Sequence, residues 1–186
     1  MRDYKAIIEK YCSGNIELQQ ILLTHSRQVA DRALAILAKH PEWVESGEVD
    51  PVFVEEAAML HDIGVTLCDA PKIHCMGTHA YIEHGYLGAE ILRQEGLPKH
   101  ADVAERHTGT GIDIEQILRE DLPIPIKDYS PRTLEEKLIC YADKFYSKTH
   151  LGEDKPMAKI RQHLWKYGSD TVNRFDAMQA LFEPAE

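Results

Sequence analysis

Apolar positions in this chain recur at three- and four-residue steps and nowhere alternate convincingly, so the pattern predicts helices. The longest helix is expected over residues 16–39, where Leu22, Val29, Ala33, Ile36 and Leu37 mark one stripe and Pro41 ends the run. A shorter helix at about 2–12 precedes it, broken by Gly14 and Asn15. Asp50-Pro51 reads as an N-cap followed by a first-turn proline, opening VFVEEAAMLHDI, which Gly64 stops. Residues 65–82 hold Pro71 and Gly77 without a clear period and read as loop. EHGYLGAEILRQEG forms a helix ended by Gly96, a second follows from Pro98 to His107, and a short one covers Ile112–Arg119. After the irregular LPIPIKDYSP, Thr133 starts the helix TLEEKLICYADKFYSKTH: Thr133 and Glu136 have capping-box spacing, and Leu134, Leu138, Tyr141, Ala142 and Phe145 form the stripe behind them. Two terminal helices are expected at about 156–166 and 170–182. The class is all-α, as one domain over 1–186 with its core at about 20–150 and the last helices packed on it.

Composition agrees with a packed domain: 44% of residues are hydrophobic and 28% charged. With 21 Lys plus Arg against 31 Asp plus Glu, the net charge is −10, and no basic cluster interrupts the acidity. That balance disfavours a nucleic-acid polymer as partner, since phosphate attraction needs a positive surface. A small phosphorylated substrate remains compatible, because a divalent metal supplies positive charge locally. The four cysteines form no CxxC pair and read as reduced thiols of a cytoplasmic protein. The first residues lack the apolar core of a signal peptide, and no stretch is long enough for a membrane span. A monomer or homodimer is expected.

The chemistry lies in polar residues placed on apolar faces. His25 sits four residues from both Ile21 and Val29; His61 follows Val54 and Ala57 by seven and four; Asp62 follows Ala58 by four; Asp143 lies between Ile139 and Tyr146. Taken singly, each has an ordinary reading: an inward histidine is usually a hydrogen-bonded core residue, Asp62 a helix cap, Asp143 a partner of Lys144. Taken together, two inward carboxylates and two imidazoles need a common compensator, because an unpaired buried carboxylate loses several kcal/mol of solvation. A divalent cation fills that role, and imidazole nitrogens with carboxylate oxygens suit Mn, Fe, Co, Ni or Zn.

HDIG at 61–64, His25 before it and Asp143 within TLEEKLICYADK resemble the signature of the HD superfamily of metal-dependent phosphohydrolases. The resemblance runs from about residue 20 to 150 and implies an HD-domain helical bundle. Within the superfamily the chain is similar to small stand-alone HDIG proteins, which share the H-G-x-x-G-A-E-I-L, E-R-H-x-G-x-G-I and D-Y-x-P-x-T-L-E-E-K stretches, and to HD-type diadenosine tetraphosphate hydrolases. Members with two metals add two histidines, and His84 and His107 stand where these fall. Val65 departs from the Lys or Arg often found there, which removes one candidate phosphate contact.

The resemblance implies hydrolysis of a phosphoester or phosphoanhydride of a nucleotide or related metabolite. One or two divalent transition-metal ions would be held by His25, His61, Asp62 and Asp143, with His84 and His107 adding a second site bridged by Asp62. Lys144 is the leading candidate for holding phosphate at the reacting centre. Lys72, Arg106 and Lys148 are candidate substrate contacts, and Glu83 a general acid or a helix-start residue favoured by the dipole. His74, Cys75 and His79 fit no zinc motif and read as a mobile, substrate-facing loop. His40, His100, His150 and His163 are expected at the surface. Two alternatives keep the ligand set and change the outcome: a di-iron oxygenase of the HD-like type, and a non-enzymatic nucleotide-binding sensor.

Overall fold

The computed structural model describes residues 3–184, and among them helices are the dominant element, joined by irregular segments and one small hairpin. The helices are α1 (Tyr4–Cys12), α2 (Ile16–Leu37), α3 (Pro41–Glu45), α4 (Pro51–Leu60), α5 (His84–Gln94), α6 (Pro98–Arg106), α7 (Ile114–Glu120), α8 (Leu134–Asp143), α9 (Met157–Leu164) and α10 (Ser169–Phe182). Local chemistry sets their ends. The Asn15 side chain accepts from Leu18 N–H, Asp50 from Val52 N–H, with Pro51 in the first turn of α4, and Thr133 from Glu136 N–H. The capping box at Thr133 is only half formed: the Glu136 carboxylate reaches the Arg132 N–H (2.7 Å) and Arg106 (2.9 Å) instead.

Two corrections concern the segment after α4. That helix stops at Leu60 rather than Gly64, and Ile63–Leu67 continues as a 3-10 turn. Residues 69–76 are not a loose loop: Asp69–Ala70 (β1) pairs antiparallel with Cys75–Met76 (β2), and a Cys68–His79 bridge ties its base. Asn15 also donates to the His74 carbonyl (2.8 Å). Cys75 is buried while His74 is exposed, so the His74/Cys75/His79 set does not converge.

Two apolar clusters divide the interior. One joins α2, α4 and α8 to the terminal helices through Val29, Ala33, Val54, Ala57, Leu138 and Phe175. The other joins α1, α5, α6 and the 3-10 turn through Ile8, Leu22, Leu60, Ile63, Leu92 and Ala101. On α2, Leu22 belongs to the second cluster and Val29 to the first, with His25 between them. The polar centre therefore occupies the largely buried seam between two apolar regions, where electrostatic interactions are stronger than in water.

Candidate metal centre

Six side chains meet at the seam. His25 comes from the middle of α2, His61 follows the last residue of α4, Asp62 follows His61, His84 opens α5, His107 follows α6, and Asp143 closes α8. All but Asp143 are almost fully buried. They form two groups whose ligating atoms lie within 4.8 Å of one another: His25, His61, Asp62 and Asp143, and Asp62, His84 and His107. Three helix C-termini, those of α4, α6 and α8, end at this point. Each contributes partial negative charge, which favours a cation.

Asp62 belongs to both groups through different oxygens. Its Oδ2 is 3.1 Å from His25 Nε2 and 3.0 Å from His61 Nε2. Its Oδ1 is 3.5 Å from His84 Nε2 and 3.4 Å from His107 Nε2. Asp143 Oδ1 completes the first group, 3.1 Å from His25 Nε2 and 3.5 Å from His61 Nε2, and the two remaining imidazoles approach to 3.0 Å in the second. Ligands about 2.1 Å from a common cation stand about 3.0 Å apart at right angles and about 3.4 Å apart at the tetrahedral angle. The donor spacing fits a cation in each group.

Hydrogen bonding fixes which ring nitrogen faces the centre. Nδ1 of His61, His84 and His107 each meets the backbone carbonyl three residues earlier: Ala58 (2.6 Å), Tyr81 (2.6 Å) and Ala104 (2.7 Å). A carbonyl only accepts, so Nδ1 carries a proton and Nε2 is the nitrogen turned toward the centre. The Ala58 and Ala104 carbonyls lie in last turns, whose carbonyls have no intrahelical donor, so helix termination and ligand orientation are one event. Buried His61 Nε2 and Asp62 Oδ1 receive no directed hydrogen bond from the described residues, and Asp62 Oδ2 has only the Lys148 ammonium and the two imidazoles beside it. Such atoms call for a partner.

Electrostatics points the same way. Burial pushes His84 down to about 3, helped by His107, and burial also lowers His107, so both are neutral as ligands must be. Burial acts to lower His61, but Asp62 and Asp143 overcome it and raise it to about 9, a sign of strongly negative potential at its Nε2. Burial opposes ionisation of Asp62 and Asp143. The former is nevertheless held well below the carboxylate range by His61 and Lys148, the latter by Lys144 with His25 and His61.

The expected phosphate contacts divide. Lys144 donates to Asp143 Oδ2 (2.7 Å) and to the His107 carbonyl (3.1 Å), and Lys148 lies 2.6 Å from Asp62 Oδ2 and donates to the Tyr81 hydroxyl (3.0 Å). Both ammonium groups are at the centre. Arg106 is instead engaged by Glu136 and Asp102 (2.9 and 3.5 Å). Lys72 is exposed on the turn Pro71–Ile73, without a hydrogen bond or ion pair among the described residues. Glu83 is a helix-start residue, its carboxylate taken by Ala80 N–H (2.7 Å) and His79 Nδ1 (3.2 Å). His100 is not at the surface: it is buried against Glu56 (3.3 Å) and Phe53, because α6 turns that face onto α4. Sequence reasoning missed Tyr81, whose ring lies 4.8 Å from His84 and stays 42% exposed. Its position three residues before a ligand-type histidine was the available signal.

The family model for the HD domain matches residues 22–147 of the chain. An uncharacterized protein of Methanocaldococcus jannaschii is 38% identical over 163 residues, covering 87% of this chain and 84% of that protein. Proteins named tRNA (cytidine(56)-2'-O)-methyltransferase are also similar, at 37% identity in Picrophilus torridus and 32% in Thermoplasma volcanium. The matches take in 53% and 68% of this chain but only 25% and 32% of those much longer proteins. No solved structure matches significantly.

Proposed function

This chain belongs to the HD domain family, and on that premise we propose that it is a metal-dependent phosphohydrolase acting on a nucleotide or a related small phosphorylated metabolite. The observation that carries the proposal is the Asp62 carboxylate, whose two oxygens face two separate pairs of imidazoles. His25, His61, Asp62 and Asp143 would hold one divalent ion, and Asp62, His84 and His107 a second. Such ions lower the pKa of water toward neutrality and offset charge on a phosphate.

The chain's own residues supply the rest. Backbone carbonyls hold three imidazoles as ligands before substrate arrives, which removes a reorganisation cost at the moment of reaction. Burial of most of these side chains in the seam strengthens the charge interactions inside it. Lys144, anchored on Asp143 and the His107 carbonyl, places a fixed positive charge beside the reacting phosphate. Lys148 holds a second phosphate oxygen. The exposed Tyr81 ring offers a flat face for a nucleobase at the mouth. The methyltransferase names describe proteins of which this chain corresponds to a minor part, and the shared portion is proposed to be the hydrolytic one.

A nucleotide-panel hydrolysis screen with Mn, Fe, Co, Ni and Mg in parallel tests the proposal. The wild-type protein should release phosphate or nucleotide, and Asp62→Ala should do neither and bind no metal. Stoichiometric metal and tight nucleotide binding without turnover on any substrate would make the protein a sensor and end the hydrolase reading.

A further inference from the structure

Two lysines neutralise two buried carboxylates at the centre, in different ways. Lys144 meets Asp143 at Oδ2, whereas the imidazoles of His25 and His61 meet that carboxylate at Oδ1. It is on the outer oxygen, with a second anchor on the His107 carbonyl. Lys148 meets Asp62 at Oδ2, the same oxygen that faces His25 and His61. Its ammonium is therefore on the ligand side, 2.6 Å from an oxygen that a cation of the first group would use. Its side chain is 11% exposed, and its other contact is the hydroxyl, at 3.0 Å, of Tyr81, a residue that is itself partly exposed.

We propose that Lys148 is the centre's internal counter-ion: it competes with the metal for Asp62 and, once displaced, becomes a substrate ligand on its Tyr81 tether. The inference rests on the metal-centre reading above and deepens it. Without a cation, each of the two carboxylates has an ammonium group beside it, and neither acid is left bare in a largely buried seam. A dication adds two positive charges beside an ammonium that shares its oxygen, and like charges at that separation repel strongly in a low dielectric. Lys144 stays, because it meets Asp143 at the oxygen other than the one His25 and His61 contact and has a second anchor on the His107 carbonyl. Lys148 leaves for the mouth of the site, where Tyr81 keeps it in reach of an incoming phosphate. Metal loading and creation of the anion-binding point are thus one event, and in the metal-free chain both carboxylates keep an ammonium partner.

The test is direct binding of Mn²⁺ by calorimetry to the full chain after chelator stripping, for wild type, Lys148→Met and Lys148→Arg. Lys148→Met should bind Mn²⁺ at least about tenfold more tightly, equivalent to about 1.4 kcal/mol. Lys148→Arg, which keeps the charge, should stay near wild type. The metal-free Lys148→Met protein should melt lower than metal-free wild type, with the gap closing on saturation with Mn²⁺. A variant that folds only with Mn²⁺ present would express the same dependence in its extreme form. Equal Mn²⁺ affinity in wild type and Lys148→Met overturns the counter-ion role and leaves the metal centre standing. No Mn²⁺ binding to any of the three proteins overturns both.

Discussion

Gly64 offers the sharpest test of how this centre is assembled. A Cβ built there would lie 2.0 Å from the His84 carbonyl oxygen, 2.3 Å from Gly88 N and 2.8 Å from Gly88 Cα. All three are backbone atoms, so no rotamer change relieves the overlap. Bringing the shortest contact from 2.0 Å to an ordinary 3.4 Å moves α5 about 1.4 Å away from the turn that carries Asp62. His84 Nε2 stands 3.5 Å from Asp62 Oδ1 and 3.0 Å from His107 Nε2, so a displacement of that size dismantles the second imidazole pair. Overpacking of this kind costs about 1–3 kcal/mol when side chains can adjust, and Gly64→Ala should reach about 3 kcal/mol or more because they cannot. For a chain of this length that is a fall in Tm of about 6–12 °C. Denaturant unfolding and thermal melts measure it, with metal content by elemental analysis alongside: the first group should keep its ion and the second lose it. Gly88→Ala is the control. Its Cβ would come no nearer than 3.1 Å, to Gly64 N, so it should cost much less. A Gly64→Ala protein within about 0.5 kcal/mol of wild type and with full metal content would refute the close-approach reasoning.

Further outcomes follow from other contacts. His107→Ala should halve the bound metal while leaving the fold intact, and unchanged stoichiometry would remove the second group from the proposal. Phe175→Ala deletes a fully buried ring stacked 5.4 Å from Tyr141 and should cost about 3–5 kcal/mol in one cooperative transition; a separate early melt of α9 and α10 would show that they form a unit of their own. Burial acts to raise Glu105, but Arg93 (3.2 Å) and Lys127 (2.6 Å) outweigh it and lower its pKa from 4.5. A depressed carboxylate stabilises the fold above its unfolded pKa and loses that contribution as pH falls through the folded value. Glu105→Gln should therefore be less stable than wild type at pH 7, and denaturation curves of the two should converge below about pH 4.5. Curves that stay parallel down to acid would exclude the ion pairs as the cause.

Helix identity was legible in the chain because burial of an apolar stripe leaves a local record. The stripe of α2, the Asp50-Pro51 start of α4 and the Thr133 cap of α8 each depend on residues within a few positions of one another. His25, His61, Asp62 and Asp143 were legible for a related reason: a polar residue on an apolar face signals a partner, and four signal a shared one. The hairpin at residues 69–76 was not legible, since its two-residue strands are too short to show alternation. His100 read as exposed because it sits near a helix end, in the first turn of α6, and only the packing of α6 against α4 decides which way that turn faces.

By itself, the sequence determined the all-α class, most helix boundaries to within a few residues and the residue types able to hold a cation, although α8 stops at Asp143, short of the expected 150, and α3 was not foreseen. The tertiary structure decided which oxygen of Asp62 serves which pair of histidines, which ring nitrogen each presents, and which positive residues reach the centre. Lys148 and Arg106 look alike along the chain, yet one contacts Asp62 and the other is held by Glu136. The physical reason is range. Caps and stripes act over a few residues of chain, whereas charges pair through space at about 3 Å between segments whose separation in sequence carries no information about their distance.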